Sequence, residues 1–476
     1  MSSSFTLKKG QHLHFIGIGG CSMNGLAMIM HHQGYTITGS DRVASAFTDH
    51  LESLGIKVYI GHEASQIEGA DAIVYSAAIK PTNPEMAAAL AKGIPTIERS
   101  VLLGMISGHF KEVIGIAGCH GKTTITSMLG LILLKAQKDP TVHVGGEVEF
   151  LTGGTRVGHS GLFVTEACEY VRSFLTLHPT IEVINNIDDD HLDCYKDIEE
   201  IASVFDEFIH LMPKTGVFVA NIEDWRVAEL VKTCPVRTVT YALDEKADYQ
   251  AQHIEYDGYG HPSFTVLDHG KPVQKIQLGV PGRHNVQNAL AAIAVARQLG
   301  VPYDCIADAL AKYRLVARRF EFFGEKDGVK LFHDYAHHPS EIRACLQAAK
   351  QTPHKKLWCI FQCNSYTRAK TLMEKYGKCF EDADEVLVPD IYPGRDIDTG
   401  IVHARDLVAE IAKNGTKVEY LPTFEEIRDY LHAHWQSGDL VVAVGSGDVF
   451  KKVRIVLDCL MRCFGEEKGL IKSAEN

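Results

Sequence analysis

Apolar and polar stretches alternate along this chain in a way that predicts strands followed by helices. Short β-branched runs lead into glycine turns, and longer apolar stretches with helical spacing follow the turns. The run around Val113–Ile116, with the helical stretch after Thr123, is the clearest case. Strands that alternate with helices are typical of parallel sheets covered by helices on both faces. The pattern occurs in three successive parts of the chain, so we predict an α/β protein with three domains.

The first part, residues 1–107, predicts a small Rossmann-like domain. A strand, a glycine turn and a helix span His12 to Gly25, and four further strands follow. These are Tyr35–Asp41, Lys57–Ile60, Ala72–Ser76 and Pro95–Glu98. Asp41 ends its strand about 20 residues after the glycines, as in dinucleotide sites where an acid binds a ribose hydroxyl. Ser22 stands where that fingerprint has its third glycine, so NAD binding and simple strand–helix packing are equal alternatives.

The second part, residues 108–317, opens with the sequence pattern of a phosphate-binding loop: a strand, a glycine turn, and a helix that begins at Lys-Thr. Backbone N–H groups and the positive helix end face an anion in such loops, while the lysine reaches the terminal phosphates and a threonine hydroxyl binds Mg²⁺. The strict pattern requires glycine where this chain has Ile116, so a plain glycine-rich turn is the alternative. We predict a triphosphate site formed by Gly118, Cys119, His120, Gly121, Lys122, Thr123 and Thr124.

Two later strands of this part end in residues that could meet a phosphate-bound Mg²⁺. Glu166 follows the strand Leu162–Thr165, and His191 follows the strand Glu182–Ile187. Parallel strands deliver their carboxyl ends to one edge of the sheet, beside the predicted loop. We therefore predict a metal site with Thr123, although imidazole is an unusual Mg²⁺ ligand and a single acid there is often a helix cap.

The remainder of the second part predicts a different kind of sheet. Short alternating segments with turn residues between Arg237 and Val280 predict antiparallel strands. Gly282 then precedes a helix over about 287–299, which ends at Gly300. Asn285 and Asn288 are equally consistent with a nucleotide contact and with a helix cap.

The third part, residues 318–476, predicts a second Rossmann-like domain. A hairpin over Phe320–His333 leads to Asp334-Tyr335-Ala336-His337-His338-Pro339, and alternation then resumes. The strands are Leu357–Gln362, Glu385–Val388, Val418–Leu421 and Leu440–Val444. His337 and His338 invite a zinc interpretation, but without a third well-spaced ligand a core or substrate contact is favoured.

Composition narrows the class of protein. The 476 residues are too many for one core. A net charge of −12 argues against nonspecific nucleic-acid binding, so anions must be held by local sites. The 12 cysteines form no C-x-x-C pair, which is typical of reduced thiols. No apolar run approaches the length of a membrane span, and we expect a cytoplasmic protein that binds neither nucleic acid nor membrane.

Nine short motifs in order resemble the Mur ligase family over nearly the whole chain, and most closely its alanine-adding branch. They are HFIGIGG at 14–20, GCHGKTT at 118–124, EACE at 166–169, DHLD at 190–193, GRHN at 282–285, RRF at 318–320, DYAHHP at 334–339, YTR at 366–368 and GSGD at 445–448.

This resemblance implies an enzyme that uses ATP and Mg²⁺ to join L-alanine to the carboxylate of UDP-N-acetylmuramate through an acyl phosphate, as a monomer or homodimer. A sibling that adds a whole peptide during cell-wall recycling is the nearest alternative. An NAD-dependent oxidoreductase would leave the Lys122 loop without a role. A regulatory nucleotide-binding protein would leave the third domain unexplained.

The resemblance also implies residue roles. UDP is expected at Gly17, Gly19, Gly20 and Ser76; ATP at the Lys122 loop, Asn285, Asn288, Arg319 and Asp334; Mg²⁺ at Thr123, Glu166 and His191; and the amino acid at Tyr335, His337 and Arg368. His337 is the candidate base, with Lys122 as the other catalytic residue.

The chain departs from the family pattern at three places. Cys119 replaces a threonine of the loop, and the run from Phe361 to Ser365 differs from the usual FQPHR or FQPHT, which affects the amino-acid site. Asp206 stands where several sibling ligases carry a carbamylated lysine. The alanine-adding branch is thought to manage without that lysine, so this departure agrees with the assignment.

Overall fold

The computed structural model describes residues 7–151, 153–191, 194–257, 260–314, 319–394 and 396–457. Its strands form three sheets, with helices connecting most of the successive strands. The predicted α/β class with three domains is confirmed. Arg318, Leu192 and Asp193, which belong to two of the quoted motifs, lie outside the described residues.

The first sheet has five parallel strands in the order β3-β2-β1-β4-β5. The strand order reverses between β1 and β4, and open α/β sheets bind ligands beyond the carboxyl ends of such strands. The predicted strands of this domain are all present, with ends that agree within a residue. They are β1 (His12–Ile16), β2 (Thr36–Asp41), β3 (Lys57–Ile60), β4 (Ala72–Tyr75) and β5 (Thr96–Glu98), with helices α1 (Cys21–His32), α2 (Ala46–Ser53), α3 (Pro84–Lys92) and α4 (Arg99–Ser107).

The central sheet has ten strands in the order β15-β14-β13-β12-β11-β10-β6-β9-β7-β8. The strands are β6 (Glu112–Ala117), β7 (Thr141–Val148), β8 (Gly153–Arg156), β9 (Leu162–Glu166), β10 (Ile181–Ile184), β11 (Val217–Asn221), β12 (Arg237–Ala242), β13 (Tyr249–Tyr256), β14 (Pro262–Asp268) and β15 (Lys271–Gln277). The helices are α5 (Lys122–Lys135), α6 (Ile198–Ile209), α7 (Trp225–Thr233), α8 (Arg283–Gln298) and α9 (Tyr303–Lys312). Strand β6 pairs in parallel with β9 and β10, so the carboxyl ends of these three strands lie at one edge.

The predicted antiparallel arrangement between Arg237 and Val280 is only partly right. Strands β14 and β15 form an antiparallel hairpin, but β12 pairs in parallel with both β11 and β13. Helix α7 connects β11 to β12 and returns the chain to the starting edge, which requires parallel pairing. Short alternating segments do not encode strand direction, and the sequence interpretation therefore missed this crossover.

The third sheet has the order β16-β17-β21-β18-β19-β20, with the predicted hairpin β16–β17 antiparallel and the other pairs parallel. Its strands are β16 (Glu321–Lys326), β17 (Val329–Asp334), β18 (Leu357–Phe361), β19 (Glu385–Val388), β20 (Val418–Tyr420) and β21 (Leu440–Val444). Its helices are α10 (Pro339–Lys350), α11 (Tyr366–Thr371), α12 (Met373–Gly377), α13 (Ala404–Lys413), α14 (Phe424–His434) and α15 (Val449–Lys452). The sequence predicts one helix over Thr367–Phe380, but the structure has two helices, α11 and α12, that meet at Leu372.

The chain forms two compact units. The first contains the first and central sheets, which share one hydrophobic core: Leu13 and Phe15 of β1 belong to the same buried cluster as Phe163 and Phe208. The second contains the third sheet together with Glu255–Pro262 and Val280–His284. Among the described residues, no helix is both long and apolar enough to cross a bilayer.

Candidate functional site

The glycine turn after β6 has the geometry of a phosphate-binding loop. Helix α5 begins at Lys122, one residue before the position that the apolar pattern indicates. Gly118 and Gly121 have φ angles of 126° and 89°, a region that favours glycine. A Cβ atom on Gly121 would lie 2.7 Å from the side chains of both Asn185 and Asn288. The turn therefore needs glycine at these positions for its backbone angles and for the close approach of its neighbours.

Asparagines that follow β10 hold this loop in place. The His120 N–H donates to the Asn186 side-chain oxygen at 2.8 Å, and the Asn186 amide donates back to the His120 carbonyl at 3.0 Å. The Asn185 amide donates to the same carbonyl at 3.1 Å and to the Asn288 side-chain oxygen at 3.2 Å. Neither asparagine was predicted as a site residue, because the predicted strand Glu182–Ile187 includes both of them. The strand β10 ends at Ile184 instead, which leaves Asn185 and Asn186 beside the loop.

Asn285 and Asn288 lie in the first turns of α8, and both are buried. The Asn288 amide donates to the Asn285 side-chain oxygen at 3.1 Å. In this structure the pair supports the phosphate loop through Asn185. An adenine contact for these residues stays a prediction.

Lys122 is fixed by an ion pair with Glu169. Its Nζ atom donates to the two carboxylate oxygens of Glu169 at 2.8 and 3.0 Å and to the Gly118 carbonyl at 2.6 Å. Both side chains are buried, with exposed fractions of 13% and 2%. Burial alone would lower the pKa of Lys122, but the Glu169 charge raises that pKa above its ordinary value. The lysine is therefore charged, and Glu169 is its counter-ion.

The acid beside the loop is Glu169 rather than Glu166. The His191 Nε2 atom lies 3.6 Å from a Glu169 oxygen, whereas Glu166 accepts a hydrogen bond from the Gly145 N–H at 2.8 Å. After β9 the chain continues along β6 for one more bond, in which the Ala167 N–H donates to the Ile116 carbonyl at 2.8 Å. This extension brings Glu169 to the loop. Thr123 lies in the first turn of α5, next to Lys122. The metal roles of Thr123, Glu166 and His191 stay a prediction.

The glycine turn after β1 includes the carboxylate of Asp41, the acid that a dinucleotide site would need for a ribose hydroxyl. The Gly19 N–H donates to an Asp41 oxygen at 2.9 Å, so this carboxylate is part of the turn. Gly17 and Gly20 belong to the same turn, joined by a hydrogen bond from the Gly20 N–H to the Gly17 carbonyl. Ser76 directly follows β4, the strand beside β1 at the point where the strand order reverses. The four residues predicted for UDP therefore follow adjacent strands at one edge of the first sheet.

In the second compact unit, a charged cluster surrounds the end of β17. Arg319 lies 3.7 Å from Asp334 and 3.4 Å from Glu341, and its guanidinium lies 5.7 Å from the centre of the Tyr335 ring. Burial raises the pKa of Asp334 to about 6, although Arg319 and two backbone N–H donors act in the opposite direction. The structure thus brings together three residues that the sequence analysis singled out: Arg319, Asp334 and Tyr335.

The adjacent histidines of this unit have different surroundings. His337 Nδ1 lies 2.9 Å from the Tyr335 carbonyl oxygen and 3.4 Å from Glu341. His338 is fully buried and caps α10, where its Nδ1 accepts from the Ser340 N–H. This capping role gives His338 a structural function.

Tyr376 connects the His337 segment to the region of Arg368. The Tyr376 hydroxyl donates to the His337 carbonyl at 2.7 Å. Burial raises the pKa of Tyr376, and the nearby Arg368 charge partly offsets that rise. Arg368 lies in α11, is partly buried, and its N–H donates to the Ser365 hydroxyl, which caps that helix. These contacts bring His337 and Arg368 to the same region of the third domain.

Family models match the chain in three successive segments. Residues 12–111 match "Mur ligase family, catalytic domain", residues 116–296 match "Mur ligase middle domain", and residues 318–447 match "Mur ligase, glutamate ligase domain". A protein of Acetivibrio thermocellus named UDP-N-acetylmuramate–L-alanine ligase is 46% identical over 444 residues, which cover 93% of this chain and 95% of that protein. This chain belongs to the Mur ligase family.

Solved structures agree with this membership. The UDP-N-acetylmuramate–alanine ligase of Thermotoga maritima has a TM-score of 0.76 and 27% identity, and the match covers 94% of this chain and 98% of that one. A murein peptide ligase of Psychrobacter arcticus has a TM-score of 0.68 and 25% identity over 95% of this chain and all of the other. The three-domain architecture of this Mur ligase is therefore shared with ligases of two branches.

Proposed function

We propose that this Mur ligase uses ATP to join L-alanine to the carboxylate of UDP-N-acetylmuramate in the cytoplasm. The observation that carries the proposal is the phosphate loop, in which a charged Lys122 is held by Glu169 with His191 beside it. Relatives named UDP-N-acetylmuramate–L-alanine ligase, 43–46% identical over more than nine-tenths of the chain, support the choice of substrates.

Each domain has a proposed substrate. Residues 1–107 bind the UDP-sugar through Gly17, Gly19, Gly20 and Ser76, and residues 108–317 bind ATP through the loop 118–124 with Asn285 and Asn288. Residues 318–476 bind the amino acid through Tyr335, His337 and Arg368, while Arg319 and Asp334 contribute to the ATP site. Oligomeric state, monomer or homodimer, stays a prediction.

The residues around the loop fit a Mg²⁺ ion. A threonine hydroxyl and a carboxylate are oxygen donors of the kind that Mg²⁺ prefers, and His191 Nε2 is close to that carboxylate. We propose Thr123, Glu169 and His191 as the residues that hold the ion, with Glu169 in place of Glu166. Bound Mg²⁺ would supply positive charge that neutralises the phosphates of ATP.

The proposed chemistry has two steps. The carboxylate of UDP-N-acetylmuramate attacks the γ-phosphorus of ATP. This step forms an acyl phosphate and releases ADP. The alanine amine then attacks the acyl carbon, loses a proton, and displaces inorganic phosphate. Lys122 stabilises the negative charge on the transferring oxygens in the first step.

His337 is the proposed base for the second step. Its Nδ1 faces the Tyr335 carbonyl, which can only accept a hydrogen bond, so Nδ1 carries the proton of the neutral ring. The lone pair is then on Nε2, the form that can accept a proton from an amine.

Phosphate release tests the function directly. The protein is incubated with ATP, Mg²⁺ and UDP-N-acetylmuramate across a panel of amino acids and short peptides. Release that depends on both the UDP-sugar and L-alanine supports the proposal. Release with a tripeptide but not with alanine would assign the chain to the peptide-adding branch, and release independent of both would refute a ligase.

A further inference from the structure

A fully buried carboxylate lies in the first domain. Glu85 is the second residue of α3, has no exposed surface, and has none of the roles assigned above. Its neighbours on the same helix, Met86 and Ala89, belong to an apolar cluster with Ile16 and Ile73. Burying a charge costs free energy unless other groups compensate for it, and a buried ion pair adds little net stability. The carboxylate therefore needs an explanation other than stability.

Three donors surround the Glu85 carboxylate. His14 Nε2 lies 2.9 Å from one of its oxygens, and His62 Nδ1 lies 2.7 Å from the other. The Ser40 hydroxyl donates to that second oxygen at 2.6 Å. Burial alone would raise the pKa of Glu85, but these three donors outweigh burial and lower the pKa below its ordinary value. Glu85 is therefore an anion that accepts hydrogen bonds from all three side chains.

The cluster around Glu85 joins four parts of the first domain. His14 comes from β1, Ser40 from β2, His62 from the segment after β3, and Glu85 from α3. His14 Nδ1 also lies 2.8 Å from the hydroxyl of Thr38, which lies on the same face of β2 as Ser40. The buried anion therefore fixes β2 at two positions of one face, directly through Ser40 and through His14 at Thr38.

The end of β2 in turn holds the glycine turn after β1. The Ser40 carbonyl accepts hydrogen bonds from the Gly17 N–H at 2.8 Å and from the Ile18 N–H at 2.9 Å. The next residue, Asp41, accepts the Gly19 N–H through its side chain. Three successive N–H groups of the turn are thus bound by the last two residues of β2. The position of the turn depends on where Ser40 is held.

Glu85 also belongs to the segment that contains Ser76. Between Ser76 and α3 the chain folds back, and the Ile79 N–H donates to the Ser76 carbonyl at 2.9 Å. The Ile79 side chain packs near Gly17, where a Cβ atom would lie 3.8 Å from it. Strands β1 and β4 are the pair at which the strand order reverses. The contact between Glu85 and Ser40 therefore connects the chain that follows β4 to the residue that holds the turn after β1.

We propose that Glu85 is a positioning residue for the UDP-sugar site, and that it holds the glycine turn in its binding geometry through Ser40. The inference rests on the proposed function, in which this turn and Ser76 bind UDP. Glu85 does not touch the ligand. Its carboxylate fixes the Ser40 hydroxyl, while the carbonyl of the same serine fixes the turn. Loss of the negative charge therefore loosens the end of β2, and a binding site that is less rigid binds its ligand less tightly.

The test compares Glu85→Gln and Ser40→Ala, singly and together, with the wild type. Glutamine keeps the shape and one oxygen acceptor but removes the charge, and alanine removes the hydroxyl but keeps the carbonyl. Met86→Ala is the matched control, because it leaves a cavity beside Glu85 on the same helix and removes none of these hydrogen bonds. Thermal unfolding reports the stability of each variant, and Ser40→Ala carries the test if Glu85→Gln does not fold.

The measured quantities are the dissociation constants of UDP and ADP, and the KM of UDP-N-acetylmuramate and kcat for phosphate release at saturating ATP and alanine. We expect Glu85→Gln to raise the UDP dissociation constant and the UDP-N-acetylmuramate KM by the same factor, about fivefold to tenfold. This is less than the roughly tenfold to hundredfold loss of a direct charged contact, because Glu85 acts through Ser40. The kcat and the ADP affinity should stay the same, since the phosphate loop is unaltered.

The double variant should bind UDP no more weakly than the weaker single variant, because both substitutions break one chain of contacts. Met86→Ala should lower the melting temperature and leave UDP affinity unchanged. This contrast separates positioning of the turn from a general loss of stability.

Wild-type affinity for UDP in folded Glu85→Gln or in Ser40→Ala would overturn the inference. Losses that multiply in the double variant would also overturn it, because the two residues would then act independently, and so would an equal loss of UDP affinity in Met86→Ala. A wild-type protein that binds neither UDP nor UDP-N-acetylmuramate would instead refute the proposed function. The two failures are therefore distinguishable.

Discussion

Replacing Glu169 by glutamine tests whether the phosphate loop is closed by an ion pair that nucleotide must displace. The Glu169 carboxylate accepts two hydrogen bonds from Lys122 and is almost completely buried. Glutamine has nearly the same shape and keeps one oxygen acceptor, but it removes the negative charge. The substitution therefore leaves a charged lysine in the loop without its counter-ion.

The first expected effect is lower stability without nucleotide. Removing one partner of a buried ion pair costs about 3 kcal/mol or more, because the remaining charge stays buried. For a domain of the size of the central one, each kcal/mol lowers the melting temperature by about 2–4 °C. We expect Glu169→Gln to melt roughly 6–12 °C below the wild type in the absence of ligands.

The second expected effect has the opposite sign and appears when nucleotide is added without Mg²⁺. In the wild type, phosphate oxygens must compete with Glu169 for Lys122 and are repelled by its charge. The interaction energy of two unit charges 4 Å apart is about 4 kcal/mol at an effective dielectric constant of 20. Even a third of that energy makes ADP in EDTA bind Glu169→Gln about tenfold more tightly than the wild type. Phosphate release with Mg²⁺ should nevertheless fall, because a proposed metal ligand is lost.

Differential scanning fluorimetry with and without ADP, in EDTA and in Mg²⁺, measures both effects in one series. Glu166→Gln is the control, since Glu166 accepts a hydrogen bond from the Gly145 N–H and not from Lys122, and the substitution should leave the ADP-dependent shift unchanged. An unaltered melting temperature and unaltered Mg²⁺-free ADP affinity in Glu169→Gln would refute the ion-pair argument. So would an identical response of Glu166→Gln, because the two acids would then be equivalent.

Three further predictions concern other parts of the chain. Lys122→Ala should remain folded with ATP present but lose about 3 kcal/mol or more of transition-state stabilisation, measured as a fall of at least about a hundredfold in kcat/KM for phosphate release. Arg368→Ala should raise the KM for alanine roughly tenfold to a hundredfold while the KM of ATP stays the same, and equal changes in both would contradict an amino-acid role. Glu182 is fully buried with neither carboxylate oxygen hydrogen-bonded, and burial raises its pKa well above the ordinary value. The folded state therefore keeps a proton that the unfolded state releases above about pH 4.5, so the free energy of unfolding falls as the pH rises. Glu182→Met should raise the free energy of unfolding, measured in urea, more at pH 8 than at pH 5.

The fold was largely predictable because the parallel strands are buried on both faces. Such strands read as short apolar runs, and the glycine turns and helices after them mark their ends. Strand direction was not predictable for β12, because pairing depends on the crossover helix α7 rather than on the strand's own residues. The division of the predicted Thr367–Phe380 helix into α11 and α12 was also missed.

The phosphate loop was predictable from its residues, but its supports were not. The spacing of the glycines and the Lys-Thr pair predict the loop from the local sequence alone, without knowledge of the fold. Asn185, Asn186 and Asn288 act on the loop from β10 and α8, at sequence distances of 65 residues and more. Amide groups at such distances have no periodic pattern, and only the sheet order brings them to the loop.

The contact of Glu169 with Lys122 was not predictable, because it depends on how the chain continues after β9. A sequence interpretation selects Glu166, because it ends the apolar run of β9. The chain then continues along β6 for one more hydrogen bond before it reaches Glu169. Glu166 accepts a hydrogen bond from the Gly145 N–H, while Glu169 contacts Lys122. The sequence signal of Glu166 is local, whereas the contact of Glu169 with Lys122 depends on the path of the chain after the strand.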